Sequence, residues 1–228
     1  MSLVVQNLGK TIGEPPNRVL TDLSFEIAEG EFVALTGRSG SGKSTLLYLL
    51  SSLDNPTEGD VQIDGHSFQK MKAEELNDFR RQLMGFVFQF HYLIAELSAI
   101  ENVLLPTRKS QIKESAHFKQ RAIELLDRFD LKGKYDRLPR QLSGGEQQRV
   151  AIARSLIMEP KYLFADEPTG SLDSINSEIV MDIIKKTNAE QKTTVIMVTH
   201  DGGFAKQAHR QIEMKDGQIV RDTQQRAH

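Results

Sequence analysis

The sequence predicts an α/β fold around a mostly parallel sheet, and three observations carry this prediction. Apolar strands alternate with helices in the later part of the chain, and a strand–helix–strand order favours parallel strands. A glycine-rich loop at 37–45 follows one apolar strand and precedes an apolar helix. The first sixty or so residues predict short strands separated by turns, whereas residues from about 97 to 158 show a mostly helical pattern.

Each element follows from a local pattern. Strands are expected at LVVQNL (3–8), LTDLSFEI (20–27), EFVAL (31–35), MGFVFQ (84–89), KYLFAD (161–166) and TTVIMVTH (193–200), with a small edge hairpin at 59–65. The two prolines of GEPPN (13–17) lack N–H donors and predict a loop, and the Asp-Gly pair of MKDGQIV predicts a hairpin turn. Helices are expected at 70–81, at 174–190 and across FKQRAIELLDRFDL, whose apolar face comprises Ala122, Leu125, Leu126 and Phe129.

The composition is that of an ordinary globular protein. The chain has 228 residues and a formal net charge of −2, which suits one large domain or a domain with an inserted lobe. No broad basic field is present, so no nucleic-acid partner is expected. The absence of cysteine excludes disulfides and fits a reducing cytoplasm. We find no secretory signal and no apolar run of about 18 residues, so no direct membrane insertion is expected.

The segment GRSGSGKST fits the phosphate-loop pattern G-x-x-x-x-G-K-[ST]. Small residues let backbone N–H groups surround a phosphate, the lysine reaches the β and γ oxygens, and the hydroxyl after it ligates magnesium. A flexible glycine-serine loop is the alternative, but the flanking strand and helix favour a nucleotide site. The predicted phosphate-binding residues are Gly37, Arg38, Ser39, Gly40, Ser41, Gly42, Lys43, Ser44 and Thr45.

Acidic and polar residues follow three other strands. Asp166 and Glu167 end KYLFADEP, where Asp166 is expected to hold magnesium through water and Glu167 to polarise the attacking water. The alternative for this pair is a helix N-terminus that favours acidic residues. His200 is a candidate donor to the γ-phosphate, and Gln89 is a candidate sensor of magnesium or water. Taken singly, these two residues are equally well explained as ordinary polar residues at strand ends. Open parallel sheets bind ligands along this edge.

A second candidate anion site begins at LSGGEQQRVAIARSL (142–156). Ser143 and Glu146 fit the capping box S-x-x-E, which predicts the start of a helix. The capping box does not explain Gly144 and Gly145, because glycine weakens a helix by about 1 kcal/mol relative to alanine. Close approach of another backbone or of a phosphate explains them.

Together these motifs resemble those of the ATP-binding-cassette (ABC) ATPases, and the resemblance covers nearly the whole chain. The phosphate loop, Gln89, LSGGEQQR (142–149), LFADEP (163–168), SLD (171–173) and VTH (198–200) occur in the family's order. The resemblance implies a single domain over 1–228. A P-loop NTPase core with an N-terminal antiparallel β subdomain would take about 1–88 and 159–228, and an inserted α-helical subdomain with the signature motif would take about 89–158.

The resemblance also implies ATP and Mg²⁺ as ligands and a head-to-tail homodimer in the ATP-bound state. Catalysis would involve Glu167, His200 and Gln89, and Mg²⁺ would be held by Ser44, Gln89 and Asp166. In the dimer, Ser143, Gly144 and Gly145 would complete the ATP site of the opposite subunit, and Asp173 would couple the two sites. The second anion site would therefore serve the partner's nucleotide.

The sequence departs from the family pattern at two positions. Glu146 stands where the family usually has glutamine, although glutamate preserves the capping role. Ile12 falls about where the family has an aromatic residue that stacks on adenine, and no aromatic residue precedes Phe25. Because isoleucine offers apolar contact without a π-face, we predict weakened adenine selectivity.

The segment after Gln89 indicates the kind of partner. FQFHYLIAELSAIENV, together with DEPTGSLD, is similar to the bacterial lipoprotein-release, macrolide-export, antimicrobial-peptide and cell-division ATPase subunits. That group implies a separate transmembrane permease docking near 89–106, and a cytoplasmic, peripheral location on the inner membrane. Core packing is the alternative role for these apolar residues. An importer ATPase of the amino-acid type is the alternative function, and a soluble ABC ATPase acting on DNA or ribosomes is less favoured.

Overall fold

Two β-sheets organise the part of the chain that the computed structural model describes, residues 2–109 and 115–224. The strands are β1 (Ser2–Ile12), β2 (Asn17–Ala28), β3 (Phe32–Thr36), β4 (Glu58–Ile63), β5 (His66–Ser67), β6 (Met84–Phe88), β7 (Tyr162–Asp166), β8 (Thr194–Val198), β9 (Arg210–Lys215) and β10 (Gln218–Gln224). An antiparallel sheet has the order β2-β1-β4-β5, and a six-stranded sheet has the order β10-β9-β3-β8-β7-β6.

Seven helices accompany these sheets among the described residues. They are α1 (Lys43–Leu50), α2 (Ala73–Leu83), α3 (Ala99–Leu104), α4 (Ser115–Arg128), α5 (Gly144–Leu156), α6 (Ser174–Gln191) and α7 (Gly202–Ala205), with short 3₁₀ turns at Phe68–Lys70, Leu105–Lys109 and Pro139–Gln141. None of the helices in the described ranges is long and apolar enough to cross a bilayer.

The predicted α/β class is confirmed, and the larger sheet is mostly parallel. β3 pairs in parallel with β8 and β9, and β7 pairs in parallel with β6 and β8. The exception is the hairpin of β9 and β10, which turns at the expected Asp216-Gly217 pair. In the predicted edge hairpin, only β5 lies at the sheet edge, because β4 pairs with β1 on its other side.

One helix begins later than the sequence predicts. The helix expected at 70–81 runs instead from Ala73 to Leu83. Phe68–Lys70 form a separate 3₁₀ turn, and the backbone N–H of Lys72 donates to the Glu75 carboxylate over 3.0 Å. This contact satisfies an N-terminal N–H and sets the helix start after Lys72.

Two apolar cores lie on opposite faces of the parallel sheet. Alternate residues of β3 enter different cores: Phe32 packs with the helices α3 to α6, and Val33 packs with α1 and the antiparallel sheet. Because both faces are covered, these strands are continuous apolar runs. The predicted helix face is confirmed in the first core, where Ala122, Leu125, Leu126 and Phe129 are all buried.

Asn102 anchors the loop that leads into α3. Its side chain is fully buried, donates to the carbonyls of Ile94, Leu97 and Ser98, and accepts from the N–H of Ile94. One side chain therefore satisfies main-chain groups of a loop that has no ladder partners.

We predict that Asn102→Ala destabilises the protein by about 2–4 kcal/mol, because several buried backbone groups lose their partner at once. Urea unfolding measures the change. The matched control is Asn55→Ala at an exposed position, which we expect to change the free energy of unfolding by less than about 0.5 kcal/mol. Equal losses in the two variants would contradict the anchoring role.

Candidate functional site

The predicted phosphate loop lies between β3 and α1, at the carboxyl end of the parallel strands. Lys43 is the first residue of α1, and its buried ammonium donates to the carbonyls of Gly37 (2.9 Å) and Arg38 (2.8 Å). Gly42 precedes the helix and supplies no side-chain cap, so the first N–H groups of α1 are open to an anion. The buried Ser41 hydroxyl has no partner among the described residues. An orphaned hydroxyl, a buried cation and open N–H groups together fit a phosphate.

Asp166 meets two hydroxyl groups of α1 at the end of β7. Ser44 donates to Oδ1 over 2.9 Å, and Tyr48 donates to Oδ2 over 2.8 Å. The carboxyl residue is buried, with 9% of its surface exposed. Burial and the hydrogen bond to Asp166 raise the pKa of Tyr48 to about 12, so Tyr48 remains a donor at neutral pH. Ser44 and Asp166 present hard oxygen donors side by side, which suits Mg²⁺.

Glu167 has different partners from its neighbour Asp166. Its backbone adopts a φ of +46°, and its N–H donates to the carbonyl of Val198 at the end of β8. Its carboxylate Oε2 lies 3.2 Å from Nδ1 of His200. A methyl group placed on Gly170 would lie 3.2 Å from both this carboxylate oxygen and Nε2 of Gln89, so the three predicted catalytic side chains converge.

The signature segment forms the predicted helix start. Ser143 caps α5 by accepting from the N–H of Glu146, and the carboxylate of Glu146 accepts from the N–H of Ser143. Hydrogen bonds from Lys134 and from the N–H of Ser143 lower the pKa of Glu146, which keeps the capping carboxylate ionised. Within the described ranges, no hydrogen bond joins 143–145 to the phosphate loop of the same chain.

The two glycines of this segment have different surroundings. A Cβ on Gly145 would lie 2.1 Å from Oδ1 of Asn176, whose side chain bonds Arg149 and Asp173. Close packing against α6 therefore explains Gly145. A Cβ on Gly144 would meet nothing within 4 Å, so contacts within the chain do not require glycine there.

Asp173 begins α6. Its carboxylate accepts from the N–H of Asn176 over 2.8 Å, which makes it the N-cap of that helix. This hydrogen bond lowers the pKa of Asp173. An N-cap accounts for the residue type, and the predicted coupling between two subunits remains a prediction.

Ile12 ends β1 beside the proline-containing turn. It pairs with Asn17 of β2, and 47% of its surface is exposed. An exposed apolar side chain at this position is compatible with an adenine contact, which likewise remains a prediction.

The segment 89–106 divides between core and surface. Asn102 and Val103 are buried, whereas Phe90 and Tyr92 are 62% and 65% exposed. Arg154 fixes the exposed part, donating to the carbonyls of His91 and Tyr92. A groove of about 460 Å³ lies nearby, lined by Leu53, Asn77, Arg80, Arg81, Met84, Gly85, Phe86, Phe88, Pro106, Arg154, Ser155 and Met158.

The sequence interpretation missed two residues that organise this site. Tyr48 donates to Asp166. The one feature of the sequence that could have indicated this role is its spacing of four residues from Ser44, which puts Ser44 and Tyr48 on the same face of a helix. Gln148 is fully buried and donates to the carbonyls of Phe88 (3.1 Å) and Pro168 (2.7 Å). It thereby ties α5 to the segments that carry Gln89 and Glu167.

Known proteins are similar to this chain in sequence over nearly its full length. The lipoprotein-releasing system ATP-binding protein LolD of Leptospira interrogans is 50% identical over 216 residues, covering 95% of this chain and 90% of that protein. The macrolide export ATP-binding/permease protein MacB of Aggregatibacter actinomycetemcomitans is 45% identical over 224 residues, covering 97% of this chain and 34% of that longer protein.

A solved structure agrees with the sequence comparisons. The ATP-binding cassette MJ0796, described as a dimeric post-hydrolysis state bound to ADP and Pi, has a TM-score of 0.90 and 42% identity, covering 99% of this chain and 100% of that one. A family model described as ABC transporter matches residues 20–170. The resemblance stated from the motifs is thus confirmed, and the chain belongs to the ABC transporter family as an ABC ATPase.

Proposed function

We propose that this ABC ATPase drives a separate membrane permease for export, extraction or mechanotransmission, from the cytoplasmic face of the inner membrane. The observation that carries the proposal is the convergence of the phosphate loop, Asp166, Glu167 and His200 at one sheet edge. The type of partner is supported by the two relatives, one of a lipoprotein-releasing system and one a macrolide exporter.

In this proposal the phosphate loop binds the β and γ phosphates of ATP. The ammonium of Lys43 exchanges its two carbonyl partners for phosphate oxygens, and the open N–H groups of α1 add further donors. Ser44, Asp166 and Gln89 would hold Mg²⁺, which when bound neutralises phosphate charge. Ile12 would supply an apolar contact to adenine.

Glu167 is the proposed general base. A water oxygen attacks the γ phosphorus, Glu167 accepts the water proton, and the bond to the β–γ bridging oxygen breaks to release ADP and phosphate. His200 contacts the carboxylate of Glu167 through Nδ1. With a proton on both ring nitrogens, the ring would donate from Nδ1 to this carboxylate and from Nε2 to the γ-phosphate. Gln89 completes the group by orienting the attacking water.

Head-to-tail dimerisation would supply the remaining ATP contacts. Ser143 and the glycine pair present the N-terminus of α5, and the openness of Gly144 within its own chain supports a contact with something outside it. The partner's γ-phosphate is the proposed contact, with Asp173 near the same interface. ATP then joins two subunits, and phosphate release separates them.

The permease would dock at the groove beside 89–106. Its lining includes the apolar residues Phe86, Phe88 and Met158 and the cations Arg80, Arg81 and Arg154. The hydrogen bonds of Arg154 go to main-chain carbonyls, and no carboxylate pairs with it among the described residues. Burial lowers the pKa of its guanidinium. A short apolar segment with an acidic residue would fit this chemistry.

One prediction tests dimerisation and concerns Gly144. In a Glu167→Gln background, which slows hydrolysis, we expect Gly144→Ala to weaken ATP-dependent dimerisation at least tenfold, because a methyl group would displace the phosphate of the partner's nucleotide. The same change leaves the monomer as stable as before or up to about 1 kcal/mol more stable. Analytical ultracentrifugation with ATP and thermal unfolding without ATP measure the two effects.

Two further variants complete that experiment. Gln120→Ala, on the exposed face of α4, is the control and should leave both properties unchanged. Gly145→Ala should lower monomer stability by about 1–3 kcal/mol, since Asn176 must move away from Arg149. A Gly144→Ala protein that dimerises normally would contradict the contact in trans.

Another prediction concerns docking of the permease. Tagged Glu167→Gln protein, purified with ATP and Mg²⁺ from detergent-solubilised host membranes, should retain a permease with few membrane spans and a large outer domain. Phe90→Ser should lose at least four-fifths of that permease, because an exposed aromatic anchor disappears (an estimate for loss of an interface hot spot). Val220→Ser changes another exposed apolar residue, on β10, and this variant should retain the permease.

Mass spectrometry distinguishes the outcomes. A compact permease recovered with a solute-binding protein would identify an importer ATPase. Ribosomal or DNA-bound proteins without any membrane protein would contradict the docking proposal and favour the soluble class.

A further inference from the structure

We infer that Tyr48 is a positioning residue for the nucleotide-bound metal: it fixes one oxygen of Asp166 so that the other faces Ser44. The inference rests on the proposed binding of ATP with Mg²⁺ at Ser44 and Asp166. Tyr48 lies outside the motifs from which the site is predicted, because it follows the end of the phosphate loop.

The geometry is that of a two-point clamp. Ser44 and Tyr48 are four residues apart on α1, so their side chains lie on one face of the helix. Each donates to a different oxygen of the same carboxylate, over 2.9 Å and 2.8 Å. The last torsion of an aspartate side chain is soft, and a single hydrogen bond leaves the carboxylate free to turn about it. Two donors from one rigid helix remove that freedom.

The hydroxyl of Tyr48 is not explained by packing. Its ring packs at the margin of the core beside α1, and a phenylalanine ring would fill the same space. Asp166 is the hydrogen-bond partner that the structure gives this hydroxyl. A partly buried hydroxyl loses contacts with water, and a hydrogen bond to a charged carboxylate offsets that loss. The hydroxyl therefore serves the carboxylate.

The consequence for the site is a carboxylate oriented before the metal arrives. With Oδ2 held by Tyr48, Oδ1 stays beside the hydroxyl of Ser44, where the proposed metal site lies. A preoriented donor does not have to be ordered when Mg²⁺ binds, so affinity for the metal–nucleotide complex rises while affinity for the free nucleotide does not. This difference separates positioning from a general contribution to folding.

The test compares nucleotide affinity with and without metal. Isothermal titration calorimetry measures the dissociation constant of ADP in excess Mg²⁺ and in excess EDTA, for wild type and for Tyr48→Phe. We expect Tyr48→Phe to weaken binding in Mg²⁺ by about three- to tenfold, the size expected when one typical hydrogen bond is lost. Binding in EDTA should change by less than about twofold, because the phosphate loop is untouched.

The matched control is Tyr162→Phe. Tyr162 also lies in a core of the protein, on the same strand as Asp166 but at its opposite end, and its hydroxyl contacts Asp64 over 3.4 Å. This variant should leave both dissociation constants unchanged. A double-mutant cycle with Asp166→Asn provides a second readout: Tyr48→Phe should have little further effect on Mg²⁺-dependent binding once the carboxylate is gone.

Each result decides the matter. Dissociation constants of Tyr48→Phe that equal those of wild type in both Mg²⁺ and EDTA would overturn the inference and leave the proposed function intact. A parallel loss of affinity in Mg²⁺ and EDTA would show that Tyr48 is merely structural. Wild-type protein whose ADP affinity does not respond to Mg²⁺ would overturn the proposed metal site together with the inference.

Discussion

The hydrogen bond between Ser44 and Asp166 joins two parts of the chain that lie 122 residues apart in sequence, and the site depends on it. It requires α1 to start directly after the phosphate loop and β7 to end at the same sheet edge. The order β3-β8-β7 meets this requirement, because parallel strands bring their carboxyl ends together. Lys43, which bonds the carbonyls of the phosphate loop, and Ser44, which bonds Asp166, are the first two residues of the same helix α1.

A second set of contacts joins helix α5 to the same edge of the parallel sheet. Gln148 of α5 donates to the main-chain carbonyls of Phe88, next to Gln89, and of Pro168, next to Glu167, so α5 is bonded to both segments. Gly145 and Asn176 join the same helix to α6. Close packing against Asn176 explains Gly145, whereas the proposed contact with the partner's nucleotide would explain Gly144. Under the proposed cycle, the face that meets the partner's ATP and the face that holds the catalytic loops belong to a single helix.

Local rules predicted the strands, the phosphate loop and the capping box, because those features depend on neighbouring residues. They also predicted the shared face of α4, since a helical period is visible in sequence. The predicted start of α2 is three residues too early. The polar pattern is continuous across the true start, which is set by the hydrogen bond from the N–H of Lys72 to the Glu75 carboxylate. Tyr48 and Gln148 were missed for another reason. Each acts through a partner more than fifty residues away, and nothing in the nearby sequence marks that contact.

Glu167 is the proposed base for ATP hydrolysis, and the phosphate loop is proposed to bind ATP independently of it. The most direct test is phosphate release from Mg²⁺-ATP by the purified chain, with ATP affinity measured on the same samples. We expect Glu167→Gln to lower the hydrolysis rate by about 10²- to 10⁴-fold while ATP affinity stays within about threefold of wild type. A Glu167→Gln protein that hydrolyses ATP at the wild-type rate would contradict the assignment of the base.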